Sequence, residues 1–264
     1  MLRRNHLYPW KIGAPSYVIP ADLTANVSLL AHRVDAVQLL FFESSSNAVL
    51  AHPFEVKPLQ EMAQAHDLTY AVHLPTDILL GDSSAAVRLQ GLDEICHLVE
   101  TLSPLAPFCY DLHLNPAPHQ ELNLWLDSLD SSLTILVQRL GRTKELVAIE
   151  NIDYPYAMVG PLVAGHGFSR CLDLGHLKRY GHDLDEALTA LASVRHIHFH
   201  GVRNGRDHGP ILPEAAEEAV LLGEWLWKAE YQGVVTLEIY SLEKLEITLH
   251  TLERVWRKYQ RSSA

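Results

Sequence analysis

Six successive apolar runs of strand-like composition in this 264-residue chain each finish on a metal-binding or proton-carrying side chain: His73, His113, Glu150, Asp173, His200 and Glu238. Neighbouring members stand about 20 to 40 residues apart, too wide for one helix or one zinc finger and suited to successive strands of a repeating βα unit. Eight β-rich runs are expected in all, at 11–19, 36–43, 68–74, 108–114, 146–151, 169–174, 195–200 and 234–240. Helical three- and four-residue spacing fills the gaps, as with Leu242, Leu245, Leu249, Leu252 and Val255. Consecutive β-then-α units impose parallel pairing with right-handed crossovers. At this length the expected solution is a closed (β/α)8 TIM barrel of the α/β class, one domain over 1–264. The rival, an open doubly wound sheet, is disfavoured because no G-x-G-x-x-G turn follows the first strand. The fifth crossover, 151–167, contains Pro155, Pro161 and three glycines, which predicts a short or broken helix.

Residues two apart in a strand share a face, so the column beneath each polar tip shows what lies inside. Ala71 and Thr69 stand below His73, Ala148 below Glu150, Cys171 and Ser169 below Asp173, and Thr236 below Glu238. Small groups under polar tips describe a crowded barrel interior with a polar mouth. Asp111, below His113, and His198, below His200, are expected as deep hydrogen-bonded groups rather than ligands.

Composition narrows the chemistry. A formal charge of −11 opposes general attraction to nucleic acid, whose binding is dominated by phosphate neutralisation. Cys96, Cys109 and Cys171 are odd in number and form no C-x-x-C pair, which argues against disulfides and thiolate zinc alike. No apolar stretch approaches the ~20 residues a bilayer needs, and the opening MLRRNHLYPWKIGAP has no signal-peptide core. A soluble, cytoplasmic protein with a small-molecule substrate is expected. Of the 16 histidines, His32, His52, His66, His97, His119, His182 and His250 fall in predicted helices or connections and read as surface or packing groups.

Oxygen and imidazole ligands without thiolates describe a divalent-metal site for hydrolytic or isomerase chemistry. Glu150 and Glu238 are the candidate bridging carboxylates, and Asp173 with His176 sets a carboxylate and an imidazole in one turn; Asp207 with His208 does the same one strand later. Lys178, Arg179, Arg203 and Arg206 follow in the same loops and suit a phosphodiester. Tyr17, Phe41, Phe42, Tyr154, Tyr156 and Tyr240 are placed to wall an apolar ligand.

With these residues assembled, the chain resembles the xylose isomerase-like TIM-barrel superfamily, which includes sugar isomerases, epimerases and endonuclease IV-type apurinic nucleases. The nuclease pattern implies one metal on His73, His113 and Glu150 and a second on Glu150, Asp173, His200 and Glu238. A third uses a His, for which His176 fits, and a D-x-H pair, where this chain has adjacent Asp207-His208. More narrowly, PSYVIPAD, LLFFES, YAVHLPTDILLG, AIENIDYP, CLDLGHLKRYG and HFHGVRNGRDH resemble the cobamide-remodelling hydrolases known as CbiR. That resemblance implies a metal-dependent phosphodiesterase releasing α-ribazole from a corrinoid, with two or three Zn, Mn or Co ions. Glu150, Glu238 and His176 are then the expected catalytic groups, and Lys178, Arg203, Arg206, Tyr17 and Tyr154 the substrate contacts. Three alternatives stand beside it. A sugar isomerase or epimerase would use one metal on Glu150, Asp173, His200 and Glu238, leaving His73 and His113 to substrate. The others are an apurinic endonuclease and a non-catalytic corrinoid-binding protein.

Overall fold

The computed structural model describes residues 8–44, 54–117, 119–183 and 194–260; His52 and the segment before residue 8 lie outside them. Eight parallel strands close into a barrel: β1 (Lys11–Pro15), β2 (Ala36–Leu40), β3 (Thr69–His73), β4 (Tyr110–Leu112), β5 (Val147–Glu150), β6 (Ser169–Asp173), β7 (Val194–His198) and β10 (Val234–Thr236). The circuit runs β1-β10-β7-β6-β5-β4-β3-β2, and β1 closes it by pairing with both β10 and β2 at Gly13. A two-stranded antiparallel hairpin, β8 (Gly201–Arg203) and β9 (Arg206–Gly209), rises from the end of β7. This is the closed (β/α)8 barrel that the alternating pattern predicts.

Strand parity divides the molecule into two cores. Outward residues such as Val37, Leu39, Val72, Leu112, Ile149, Leu172 and Ile197 join the main apolar cluster under the helices. Inward, the small residues Ala71, Cys109, Ala148 and Cys171 form a separate cluster. Larger inward groups would overfill the lumen; small ones leave room for the buried polar groups Gln38, Asp111, His196, His198 and Thr236, of which Gln38, Asp111 and His196 are in register with Ala71, Ala148 and Cys171.

The helices α1 (Leu23–Leu30), α2 (Val56–His66), α3 (Ala85–Leu102), α4 (Leu122–Leu140), α5 (Gly160–His166), α6 (Leu174–Tyr180), α7 (Ala216–Lys228) and α8 (Leu242–Gln260) surround the strands. In α8 the predicted stripe is the buried one: Leu245, Leu249 and Leu252 are all 2% exposed or less. Crossover five has the short helix its prolines require, seven residues in α5 with Pro161 in its first turn. The strands are shorter than predicted. The run at 195–200 stops as a strand at His198, and that at 234–240 stops at Thr236. No helix among the described residues is long and apolar enough to cross a membrane.

Candidate metal centre

The C-terminal ends of β3 to β7 and β10 bring the polar tips together around Glu150. His73 Nε2 and His113 Nε2 lie 3.5 and 3.2 Å from Glu150 Oε2, His198 Nδ1 lies 3.3 Å from the same oxygen, and His176 Nδ1 is 3.3 Å from Oε1. His198 Nδ1 is also 3.3 Å from Glu238 Oε1 and 3.8 Å from Asp173 Oδ2. Glu150, Asp173, His198 and Glu238 thus aim one ligand atom each at a common point, with all four buried. His73 and His113 with Glu150 form an adjoining group, as do His176, His200 and His208.

Both Glu150 oxygens, Glu238 Oε1, His113 Nε2 and His198 Nδ1 are buried without a well-formed hydrogen bond. Leaving a polar atom so costs about 1–3 kcal/mol, more for a charged one. A divalent cation satisfies lone pairs on carboxylate and imidazole at once, so the donor set fits such an ion.

Backbone partners fix which nitrogen of each ring holds the proton when the ring is neutral. A carbonyl only accepts, so His73 Nδ1 facing Leu74 O at 2.9 Å, His176 Nδ1 facing Asn151 O at 3.1 Å and His208 Nδ1 facing Glu238 O at 3.1 Å are all N–H donors. His200 is the reverse. The His208 amide donates to its Nδ1 at 2.9 Å, so the ring proton sits on Nε2, 3.3 Å from each Asp173 oxygen. Beneath the centre, His196 Nδ1 meets Asp111 Oδ2 at 2.8 Å and His196 Nε2 meets Thr236 Oγ1 at 2.7 Å. His198 Nε2 faces Gln38 Nε2 at 2.8 Å, Cys171 Sγ at 3.4 Å and Asp111 Oδ2 at 3.5 Å.

Charge in the centre is unbalanced toward the carboxylates. Burial opposes ionisation of Glu150, but His198 and His113 outweigh it and hold the carboxyl well below its ordinary range; Asp173 is brought to about 2 against its burial, chiefly by His200 and His176. Burial also disfavours the imidazolium. Nevertheless, hydrogen bonding to Glu150 lifts His73 to about 9, and Asp173 with Glu150 lifts His176 to about 10. His198 is raised well above its ordinary value against its own burial, whereas burial keeps His208 low. A cluster that holds its histidines this way is one that accepts external positive charge.

Several predicted site residues sit differently. His198, expected as a deep packing group, presents Nδ1 to the centre, while His200, expected as the ligand on that strand, has one nitrogen taken by an amide and the other on Asp173. The reason is the early end of β7: His198, not His200, is in register with Asp173 and Thr236. A signal for this was present. Asn204-Gly205, with positive φ of 53° and 72°, is a two-residue hairpin turn joining Arg203 to Arg206, so the chain must leave the barrel before 201. The predicted phosphate grip is also dispersed: Lys178 pairs with Glu218, Arg179 with Asp207, and Arg203 and Arg206 are exposed on the hairpin. Tyr154 is buried, its hydroxyl donating to Leu114 O at 2.8 Å, so it does not face the mouth. Tyr17 is 47% exposed and packs edge-on against Phe42. Phe41, Phe42 and Tyr240 line an open cavity of about 130 Å³ together with His73, Glu150 and Glu238.

No protein-family model matches the chain, and no curated protein matches it in sequence. Solved structures do. A D-tagatose 3-epimerase-like protein superposes with TM-score 0.79 at 18% identity, covering 96% of this chain and 100% of that one. The 3-keto-D-glucoside 4-epimerase of E. coli gives 0.72 at 17% identity over 96% and 99%. An AP endonuclease, family 2, from Brucella melitensis gives 0.70 at 15% identity over 96% and 97%. These likenesses establish the shared fold. Further similar structures are D-psicose and L-ribulose 3-epimerases. That finding overturns the expectation of a cobamide phosphodiesterase acting on a corrinoid, and the dispersal of the cations meant for phosphate agrees with the correction.

Proposed function

We propose that the chain is a sugar isomerase or epimerase working on a ketose with one divalent cation, Mn²⁺, Co²⁺ or Zn²⁺, held by Glu150, Asp173, His198 and Glu238. The observation that carries the reading is the pair Glu150 and Glu238. Both are buried, both turn oxygens without hydrogen bonds toward the same cavity, and each stands 3.3 Å from the one nitrogen, His198 Nδ1, between them. The likeness to epimerase structures supports the same choice.

A cation bound there supplies a Lewis acid for the substrate's carbonyl and neighbouring hydroxyl oxygens. Glu150, kept ionised by the imidazoles around it, is the group ready to take a proton from the carbon beside the carbonyl. Glu238, across His198, would enter the step protonated and give its proton to the opposite face, which inverts that carbon and leaves Glu150 protonated and Glu238 ionised until solvent resets the pair; if Glu150 instead returned its proton to the adjacent carbon, the carbonyl would move. His73 and His113 border the cavity next to Glu150 and orient substrate hydroxyls. Phe41, Phe42 and Tyr240 line the cavity walls and limit water around the reacting carbon.

The test is hydrogen exchange. In D₂O, the protein with Mn²⁺ or Co²⁺ is expected to place deuterium on the carbon adjacent to the carbonyl of at least one ketose, followed by NMR. Glu150→Gln and Glu238→Gln are each expected to slow exchange by about 10²-fold or more. No exchange on a panel of ketohexoses and ketopentoses under any of the three metals sinks the proposal.

A further inference from the structure

We propose that His200 is a positioning residue that holds the Asp173 carboxylate for the cation, in a tautomer dictated by the hairpin β8–β9. This inference rests on the cation site proposed above and not on the sugar chemistry. Asp173 is fully buried and gripped on several sides. Its Oδ1 caps α6 by accepting the His176 amide at 2.7 Å, and Asn151 brackets its backbone, donating to Asp173 O at 2.8 Å and accepting from Asp173 N at 2.9 Å. These contacts fix where the residue sits; at the carboxylate's far edge His176 Nδ1 lies 3.5 Å from Oδ2 but gives its proton to Asn151 O at 3.1 Å, which leaves one donor. That donor is His200 Nε2, 3.3 Å from both oxygens. With it in place, Oδ2 faces His198 Nδ1 and the centre.

As a neutral ring His200 donates from Nε2 only if Nδ1 is bare, and a backbone N–H pointing at Nδ1 keeps it so. The His208 N–H, 2.9 Å from Nδ1, comes from β9, where His208 takes a left-handed φ of 51°. An amide cannot accept a proton, so it excludes the other tautomer. Gly175 completes the arrangement from below. A Cβ at that position would lie 2.0 Å from His200 Cε1, so only glycine lets the ring lie flat over the start of α6. Side chain, hairpin and glycine together form a clamp that ligation by His200 itself would have to break.

Two measurements on the full-length protein decide this. In cation-free protein labelled with ¹⁵N-histidine, long-range ¹H–¹⁵N spectra report each ring's tautomer, with His200 assigned from the signal lost in His200→Gln. The expected result is a proton on Nε2 and none on Nδ1; a proton on Nδ1 overturns the proposal. Calorimetric Mn²⁺ titration then compares wild type, His200→Gln and His200→Leu. Glutamine offers an N–H close to where Nε2 stood and is expected to bind within about threefold of wild type, whereas leucine is expected to weaken binding about 10–100-fold. Equal loss in both variants makes His200 a ligand, and unchanged binding in leucine makes it idle; either result overturns the positioning role. Gly175→Ala is expected to follow His200→Leu, and if neither folds the wild-type spectrum still decides. Mn²⁺ binding without turnover of any ketose removes the proposed function and leaves this inference standing.

Discussion

Glu150 faces four imidazoles, those of His73, His113, His176 and His198, each within 3.5 Å, and this crowding governs how the cation-free protein responds to pH. His73 and His176 are lifted from 6.5 in the free side chain to about 9 and about 10 once folded, because the carboxylates outweigh burial. A raised folded value contributes stability that is complete below the unfolded value and lost as pH climbs through the folded one. The thermal midpoint of cation-free protein is therefore expected to fall between about pH 6.5 and pH 9–10. With saturating Mn²⁺ the decline should flatten, since the cation replaces those protons; differential scanning calorimetry at stepped pH reads both, and a midpoint rising over that window contradicts the assignment. At this scale the sequence was partly legible. Strand-end parity singled out Glu150, Asp173, Glu238, His73 and His113, which the fold brings together, but it could not separate His198 from His200, which share a parity.

Among the elements, loops at the C-terminal end of the barrel are held by side chains acting as substitutes for sheet. Asn26 in α1, fully buried, accepts from Val18 N and Ile19 N and donates to Ile19 O, Ala21 O and Asp22 O, so one amide pins the whole β1–α1 loop that carries Tyr17. Asn26→Ala leaves those buried backbone groups without partners and is expected to cost about 2–4 kcal/mol in urea unfolding. A loss under about 0.5 kcal/mol would show that water replaces the amide freely. The hairpin β8–β9 works the same way, delivering an amide to His200 and a ring to Glu238 O. Asp173 joins two elements directly, as the last residue of β6 and the cap of α6. That spares a linker and fixes the carboxylate at the mouth.

For the whole molecule the requirement is closure, because a site drawn from six strands exists only when β1 meets β10. Gly13 sits at that seam; a Cβ there would come within 2.8 Å of Thr236 Oγ1. Outside the seam, Tyr8 and Trp10 stack at 5.6 Å, and both meet Trp256 of α8 edge-on at 5.3 and 5.2 Å, tying the first described residues to the last helix. Trp256 is fully buried and donates to Ala219 O of α7. Trp256→Ala is expected to remove about 3–5 kcal/mol, measured by urea unfolding, with Mn²⁺ affinity of the folded fraction unchanged. Weakened cation binding in that variant would mean that closure is strained into the site rather than independent of it.

Periodicity and parity are local properties, so the amino-acid order alone determined the eight βα units, the small-residue lumen and the polar mouth. Which histidine stands between Glu150 and Glu238 was decided by register between strands far apart in sequence. Pairing sets His198 beside Asp173 and Thr236, and only the folded chain brings the His208 amide against His200 and Glu218 against Lys178. A ring nitrogen's role depends on the atom facing it, and that atom is supplied by the tertiary structure.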